Sequence, residues 1–423
     1  MLVTAGTADG AVPTEIVDGW GAEDSLSLRP HVSLDWEWRR RRGAIRRETL
    51  CYAHETLGGA SLCPEGSRVL LADDLETERT TSVLTVTPAL ALGDAFELSF
   101  ALPIVLSEQT DLRHASGVDE GNSLTDPYNR PSLFEVPARG PTRAGLADVS
   151  ATLRVAPFGF GEERDGRWVV GLTLTLPTAS ERAAGNDAVG EGMYAVRLEN
   201  AFSGKVTRWL EPFAAVDVTL VRGAAGSVFD ADAPTQTLTG PAHRLGVSFG
   251  AEVTPYERKD KSAVRLEVGG RIEAVFDGRA RTDLFDALGT SGCDPRSEDA
   301  PCDLTTYDRG DVDPATSAPR RTDGVTDEEH HAVLSGWLGI RYEVFEVLEL
   351  SARASLAMET DHFLTFADVG EDLDGVGGIQ RTNTQGQNEL NPVYASAFDA
   401  PGTRFRTGGI TTFGVDVAAR VKF

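Results

Sequence analysis

No stretch of this 423-residue chain approaches the roughly 18 consecutive apolar residues that a membrane-crossing helix needs. That excludes helical spans and leaves strands open, because a spanning strand carries about 10 residues and turns only every second one to lipid. Positive charge is scarce as well. The 40 Lys and Arg are set against 65 Asp and Glu, a formal net charge of -25, which argues against nucleic acid as a partner. No compositional break or Pro/Ser-rich linker divides the sequence, so one large domain is simpler than two or three. No repeat of roughly 40 to 50 residues and no Trp-Asp signature is present, which removes a propeller.

Cysteine is limited to Cys51 with Cys63 and Cys293 with Cys302, each pair inside one polar segment. Two local disulfides in an oxidising compartment are expected. Zinc is not, since neither pair has Cys-x-x-Cys spacing. Export implies a signal peptide, yet Met1-Leu2-Val3-Thr4-Ala5 has neither a basic region nor an apolar core. The numbering is therefore expected to be that of a processed or truncated chain. Residues 1–24 are polar and rich in Gly, Asp and Glu, and are expected to form a flexible periplasmic lead.

What the sequence does have is alternation with period two, the signature of strands. In the last stretch Phe413, Val415, Val417, Ala419, Val421 and Phe423 share one face, opposite Gly414, Asp416, Ala418, Arg420 and Lys422. The same alternation runs through Leu26 to Trp38, Leu84 to Leu92, Phe96 to Leu106, Trp168 to Leu176, Leu245 to Val253 and Leu266 to Phe276. Twelve strands are expected, joined alternately by long and short connections. Between the first two, a loop from about Arg40 to Glu78 is expected. Short turns on one side and long loops on the other are what a closed antiparallel transmembrane β-barrel shows, and closure is required because hydrocarbon offers no partner to an open edge. The competing soluble sandwich would have to bury several ion pairs in its core. The expected fold is therefore all-β, with residues 25–423 forming one barrel.

The final strand resembles the closing strand of bacterial outer-membrane barrels, which implies that Phe423 serves the barrel-assembly machinery as an insertion signal. A second resemblance rests on Gly145-Leu146-Ala147-Asp148-Val149 and on Leu174-Thr175-Leu176-Pro177-Thr178. These are similar to motifs of the phenol-degradation-pathway type of outer-membrane channels, in which Gly is usual where this chain has Ala147 and Ala179. The resemblance implies a role in transport of small molecules, apolar or aromatic compounds among them, and supplies no ligand residues.

The polar face of the strands carries Arg29, Asp35, Glu37, Arg154, Arg265, Glu267, Arg271, Glu273, Arg341, Arg353 and Arg420, all expected to line the lumen. Glu97, Asp148, Asp217, Glu252, Glu343, Glu349 and Asp416 belong to the same face. The signs nearly balance, so a pore strongly selective for one charge is not expected. Cross-strand ion pairs that fill much of the bore are. Asp308 to Asp313 and Asp368 to Asp374 lack EF-hand spacing, and Glu328-Glu329-His330-His331 is expected to be a solvated loop end, because neighbours on a strand face opposite sides. No metal or cofactor is expected. His31 and Ser33, two apart on a strand, match the spacing of a membrane hydrolase pair but lie on the polar face, so catalysis is not expected. The leading expectation is a channel or transporter with outer-membrane lipid and a small solute as partners. A closed barrel that presents acidic loops for adhesion is the alternative.

Overall fold

The computed structural model describes residues 14, 28–50, 69–92, 95–125, 133–160, 166–207, 209–230, 240–257, 262–290, 312–313, 318–319, 323–344, 347–380, 382–386, 389–391 and 393–423. Twelve long strands build the wall: β1 (Leu28–Leu50), β2 (Val69–Leu92), β3 (Phe96–His114), β4 (Ser150–Phe160), β5 (Gly166–Thr175), β6 (Met193–Gly204), β7 (Leu210–Gly223), β8 (Arg244–Glu257), β9 (Ala263–Val275), β10 (His331–Val344), β11 (Leu348–Glu359) and β12 (Phe405–Lys422). Each pairs antiparallel with the next, and β12 returns to β1 in register from His31 opposite Lys422 to Arg47 opposite Phe405. The sheet is therefore closed. The four cysteines and nearly all of the lead segment lie outside the described residues.

Leu34, Phe100, Leu172, Val218, Phe249, Val268, Leu338 and Leu356 are exposed on the outer face, Leu338 at 65%. Such a surface is stable only against hydrocarbon. Aromatic side chains bound the belt. Tyr194, Phe276 and Trp36 mark the end nearer the long loops, while Phe96, Phe202, Tyr256 and Tyr342 mark the end nearer the short turns.

The structure corrects the expected loop from Arg40 to Glu78: β1 continues to Leu50 and β2 begins at Val69, so the hairpin stands well above the belt. Composition made these residues look like a loop, yet the strands stay paired through them, with one extra residue, Asp74, bulged opposite Ile45 and Arg46. Above Trp38 the outer positions become Arg40, Arg42 and Arg46, which pair across the hairpin with Glu78 and Asp73 at 2.7, 2.8 and 2.7 Å. Cross-strand ion pairs replace lipid contacts, and the strand persists into water.

Beneath this raised wall the long loops turn inward. Short strands Gly278–Ala280 and Thr326–Glu328 pair with each other, followed after the first by helix α1 (Phe285–Gly289). Leu284 and Leu288 of this loop pack against Ile45, Leu75 and Leu112 of the wall and against Phe134, Phe398 and Phe405. Leu284 and Ile45 are wholly buried. The largest apolar core among the described residues thus lies inside one end of the barrel, where the loops fill it.

Candidate functional site

Below the loops, the side chains predicted to line the bore project inward, opposite the exposed apolar face, and meet in charge pairs. Arg341 bonds Glu252 at 2.5 Å and lies 3.8 Å from Glu349, which Arg420 approaches at 3.7 Å. Arg265 sits between Glu252 and Glu343, 3.6 and 3.4 Å away. Higher up, Glu267 takes Arg353 at 3.3 Å and the Trp337 indole N–H at 2.7 Å. Arg271 bridges Asp217 and Glu273 at 2.5 and 2.8 Å, and Arg154 lies 3.8 Å from Glu199. Glu37 pairs with Arg39. The Arg29 side chain is outside the described residues. Asp35 accepts the Ser33 hydroxyl at 3.0 Å, and His31 lies 4.0 Å from Glu97. Ser33 thus gives its proton to a carboxylate rather than to His31, and both side chains are buried away from lipid.

Where bore and loops meet, Asp283 is buried between Arg41 and Arg79, the latter at 2.9 Å, and Arg41 also holds Glu359 at 2.7 Å. Burial by itself would raise the Asp283 pKa, but the two guanidinium groups override it and hold the carboxyl below its usual range. On the flanks, Arg143 grips Asp286 of α1 through two bonds of 2.6 and 2.9 Å, Arg182 grips Glu108 through two of 2.8 Å, and Arg281 joins Glu181 and Glu191 at 2.9 and 3.1 Å. A cavity of about 90 Å³ remains here, bordered by Arg41, Arg79, Arg281, Asp283, Glu328 and His331. It is far smaller than the roughly 300 Å³ of an ordinary small-molecule pocket.

The expected solvated loop end at Glu328 to His331 is corrected at two of its four residues. His330 is exposed beside Asp277 at 3.1 Å, but Glu328 and His331 turn inward to meet His362 from the loop between β11 and β12. The His362 Nε2 lies 2.9 Å from Glu328 Oε1, and the two imidazoles stack at 3.8 Å. Glu329 and His330, which belong to no strand, separate His331 at the start of β10 from the loop strand that carries Glu328, so strict alternation fails there. Burial, the largest single influence, would raise the Glu328 pKa; the bond to His362 and the charges of His331 and His362 together outweigh it and push the value down to about 2. Asp372, Asp374 and Glu389 also gather. Their oxygens already accept bonds from Gly375, Val376, Thr384, Leu373, Gln380 and Asn383, which accounts for the cluster as a loop clasp.

The motif around Gly145 has a structural job. Gly145 has φ of 148°, where a glycine is favoured. Asp148 then accepts the backbone N–H groups of Ala179 and Glu191 at 2.9 and 2.8 Å, and Val149 N–H bonds Thr178 Oγ1 at 3.0 Å. The two matched stretches therefore fasten the β5–β6 loop to the wall. Asp148→Ala is expected to leave the buried Glu191 N–H and the half-buried Ala179 N–H without this acceptor and to cost about 1–3 kcal/mol locally. Faster amide exchange at Ala179 and Glu191, with the strands unaffected, checks this.

Asp399, at the end of helix α2 (Ser396–Asp399), is buried. Burial pushes its pKa up to about 8 against the partial relief of two backbone N–H bonds, from Ala395 and Ala367. The folded state then binds a proton that the unfolded state releases near pH 4, so this contribution is full below about pH 4 and is lost as pH rises to about 8. Protection of residues 393–403 is expected to fall between pH 5 and pH 9. In Asp399→Asn this slope should vanish, while stability at pH 5 changes by less than about 1 kcal/mol. Equal slopes in the two proteins would contradict the assignment.

Arg41, Asp283 and His362 were not singled out from sequence. For Arg41 a signal exists: in Trp38-Arg39-Arg40-Arg41-Arg42 the alternation continues, so Arg41 shares the inner face with Asp35 and Glu37. Nothing local marks Asp283 or His362, which distant loops bring to the mouth.

No family model matches the sequence, and comparison with curated proteins finds no match. Among solved structures the chain is similar to an outer-membrane channel from Pseudomonas putida F1, at 10% identity and a TM-score of 0.36, over 96% of this chain and 100% of that one. A Pseudomonas aeruginosa FadL homologue gives 10% identity and 0.31, over 98% and 99%. The CymD monoaromatic hydrocarbon channel gives 8% and 0.32, over 93% and 88%. Scores of this size leave strand tilt and loops free to differ, so the architecture above stands on this chain's own strand pairing.

Proposed function

We propose that the chain is an outer-membrane channel for small molecules, closed at rest by its own extracellular loops. The carrying observation is the way the plug is held: beside the apolar packing of Leu284 and Leu288, it is fastened at the mouth of the bore by ion pairs of Arg41 and Arg79 with Asp283 and of Arg143 with Asp286. A purely apolar stopper gains nothing by leaving. Charged pairs exchange partners for water at modest net cost, so a plug rimmed by them can move. Below it Arg265, Arg271 and Arg353 stay partly exposed, which supports a wettable path with both signs of charge. Apolar or aromatic compounds as cargo follow from the resemblance at Gly145 to Val149 and Leu174 to Thr178, and the small cavity requires the plug to shift before such a molecule passes. Assembly through Phe423, which is 75% exposed beyond β12, belongs to the same proposal.

Liposomes that contain the refolded chain test this reading. Uptake of small neutral and aromatic solutes above that of empty liposomes is expected. A correctly folded barrel with no uptake over hours would favour the second reading, a scaffold whose tall β1–β2 hairpin presents loops to a partner.

A further inference from the structure

We propose that Glu328, His331 and His362 form a site for a borderline divalent metal ion, with zinc as the reference, that ties the β9–β10 loop to the β11–β12 loop at the mouth of the bore. One ligand atom from each residue lies within 4.8 Å of the others. Each imidazole places Nδ1 against a backbone carbonyl: His362 against Thr360 O at 2.8 Å and His331 against Glu329 O at 3.1 Å. That arrangement fixes Nδ1 as the protonated nitrogen and leaves Nε2 as the donor, the outer support that metal-binding histidines ordinarily have. Thr407 Oγ1, 3.3 Å from His362 Nδ1 and 3.0 Å from its backbone N, further sets the ring, which is wholly buried. Two imidazoles and one carboxylate with a fourth position open to the cavity is a donor set that suits zinc.

Binding asks for a small rearrangement. With bonds of about 2.0–2.1 Å, tetrahedral ligands sit about 3.3 Å apart, so the donors must close by about 1.5 Å and the parallel rings must splay. Rotation of the side chains supplies this, and the proton that His362 Nε2 directs at Glu328, 2.9 Å away, is released to solvent as the ion takes its place and bonds both residues. The neighbouring charges do not forbid the ion. Arg41 is engaged by Asp283 and Glu359, and Glu359 adds negative charge near both imidazoles. The ion would brace the plug in addition to the Arg143–Asp286 pair, independently of whether the barrel transports anything.

The refolded full chain in detergent, stripped with chelator and dialysed against Zn²⁺, is expected to retain one more ion than His331→Ala or His362→Gln, each of which should bind at that site at least about 100-fold more weakly. Acidic loops and cysteines elsewhere bind equally in all three proteins, so the difference is the readout. Where a variant does not fold, the wild type answers alone: one equivalent of Cu²⁺ should give an electron paramagnetic resonance spectrum with coupling to two imidazole nitrogens. Identical Zn²⁺ retention in folded variants, or a Cu²⁺ spectrum without nitrogen coupling, would overturn the proposal.

Discussion

Replacement of Asp283 by Asn is expected to raise small-solute flux through the refolded chain at least about tenfold. The carboxylate is buried between Arg41 and Arg79 and pairs with both. Asn keeps the shape and removes the charge, so both guanidinium groups lose the carboxylate that ties them to the plug, and Arg41 keeps Glu359 of the wall. Breaking a buried pair in this way costs about 3–5 kcal/mol. The loss falls on the plugged state alone, because with the loops displaced both arginines are solvated. At about 1.4 kcal/mol per factor of ten, the lower figure shifts the ratio of open to plugged barrels by about 100-fold, and a tenfold rise in flux is a conservative share of it. Asp73→Asn is the control. It removes the partner of Arg46 on the outer face, where both groups are exposed, and exposed pairs are worth at most about 1 kcal/mol. Liposome-swelling rates measured on the three proteins check the result; equal rates in folded Asp283→Asn and wild type would remove the plug from the account.

Leu338→Arg is expected to lower barrel stability by about 2–4 kcal/mol, the cost of a cation at the bilayer midplane. Leu338 stands at the middle of β10 and is among the most exposed apolar side chains on the outer face. A soluble protein would accept Arg at such a position with little change. Leu71, also outward but near the top of β2 above the belt, gives the depth control: Leu71→Arg should cost less than about 1 kcal/mol. Reversible urea unfolding from lipid vesicles measures both. Equal costs at the two depths would mean that the exposed face does not meet hydrocarbon.

The wall of the molecule was legible in the sequence because period two is a local property. Leu26 to Trp38 and Phe413 to Phe423 declare an inner and an outer face without reference to anything distant, and loop lengths then supplied strand count and closure. Legibility ended where composition was allowed to outvote alternation. Arg40 to Leu50 and Val69 to Glu78 look like loop by charge, but opposite charges placed across the hairpin keep the strands paired above the lipid. The same alternation puts Arg265, Glu267, Arg271 and Glu273 on the face opposite the apolar one, where charge pairs form, but it names no partner. The mouth was not visible at all. Asp283 meets Arg41 across 242 residues of chain and His362 meets Glu328 across 34, and such meetings depend on how long loops fold into a ring of strands. No spacing within one segment records that.

Single-channel conductance of the refolded wild-type chain in a planar bilayer tests the central claim, that a polar bore is stoppered by its own ion-paired loops. A silent baseline broken by brief, small openings is the predicted record. A large and steady conductance from the moment of insertion would contradict it, because a bore that is open at rest cannot hold Asp283 between Arg41 and Arg79.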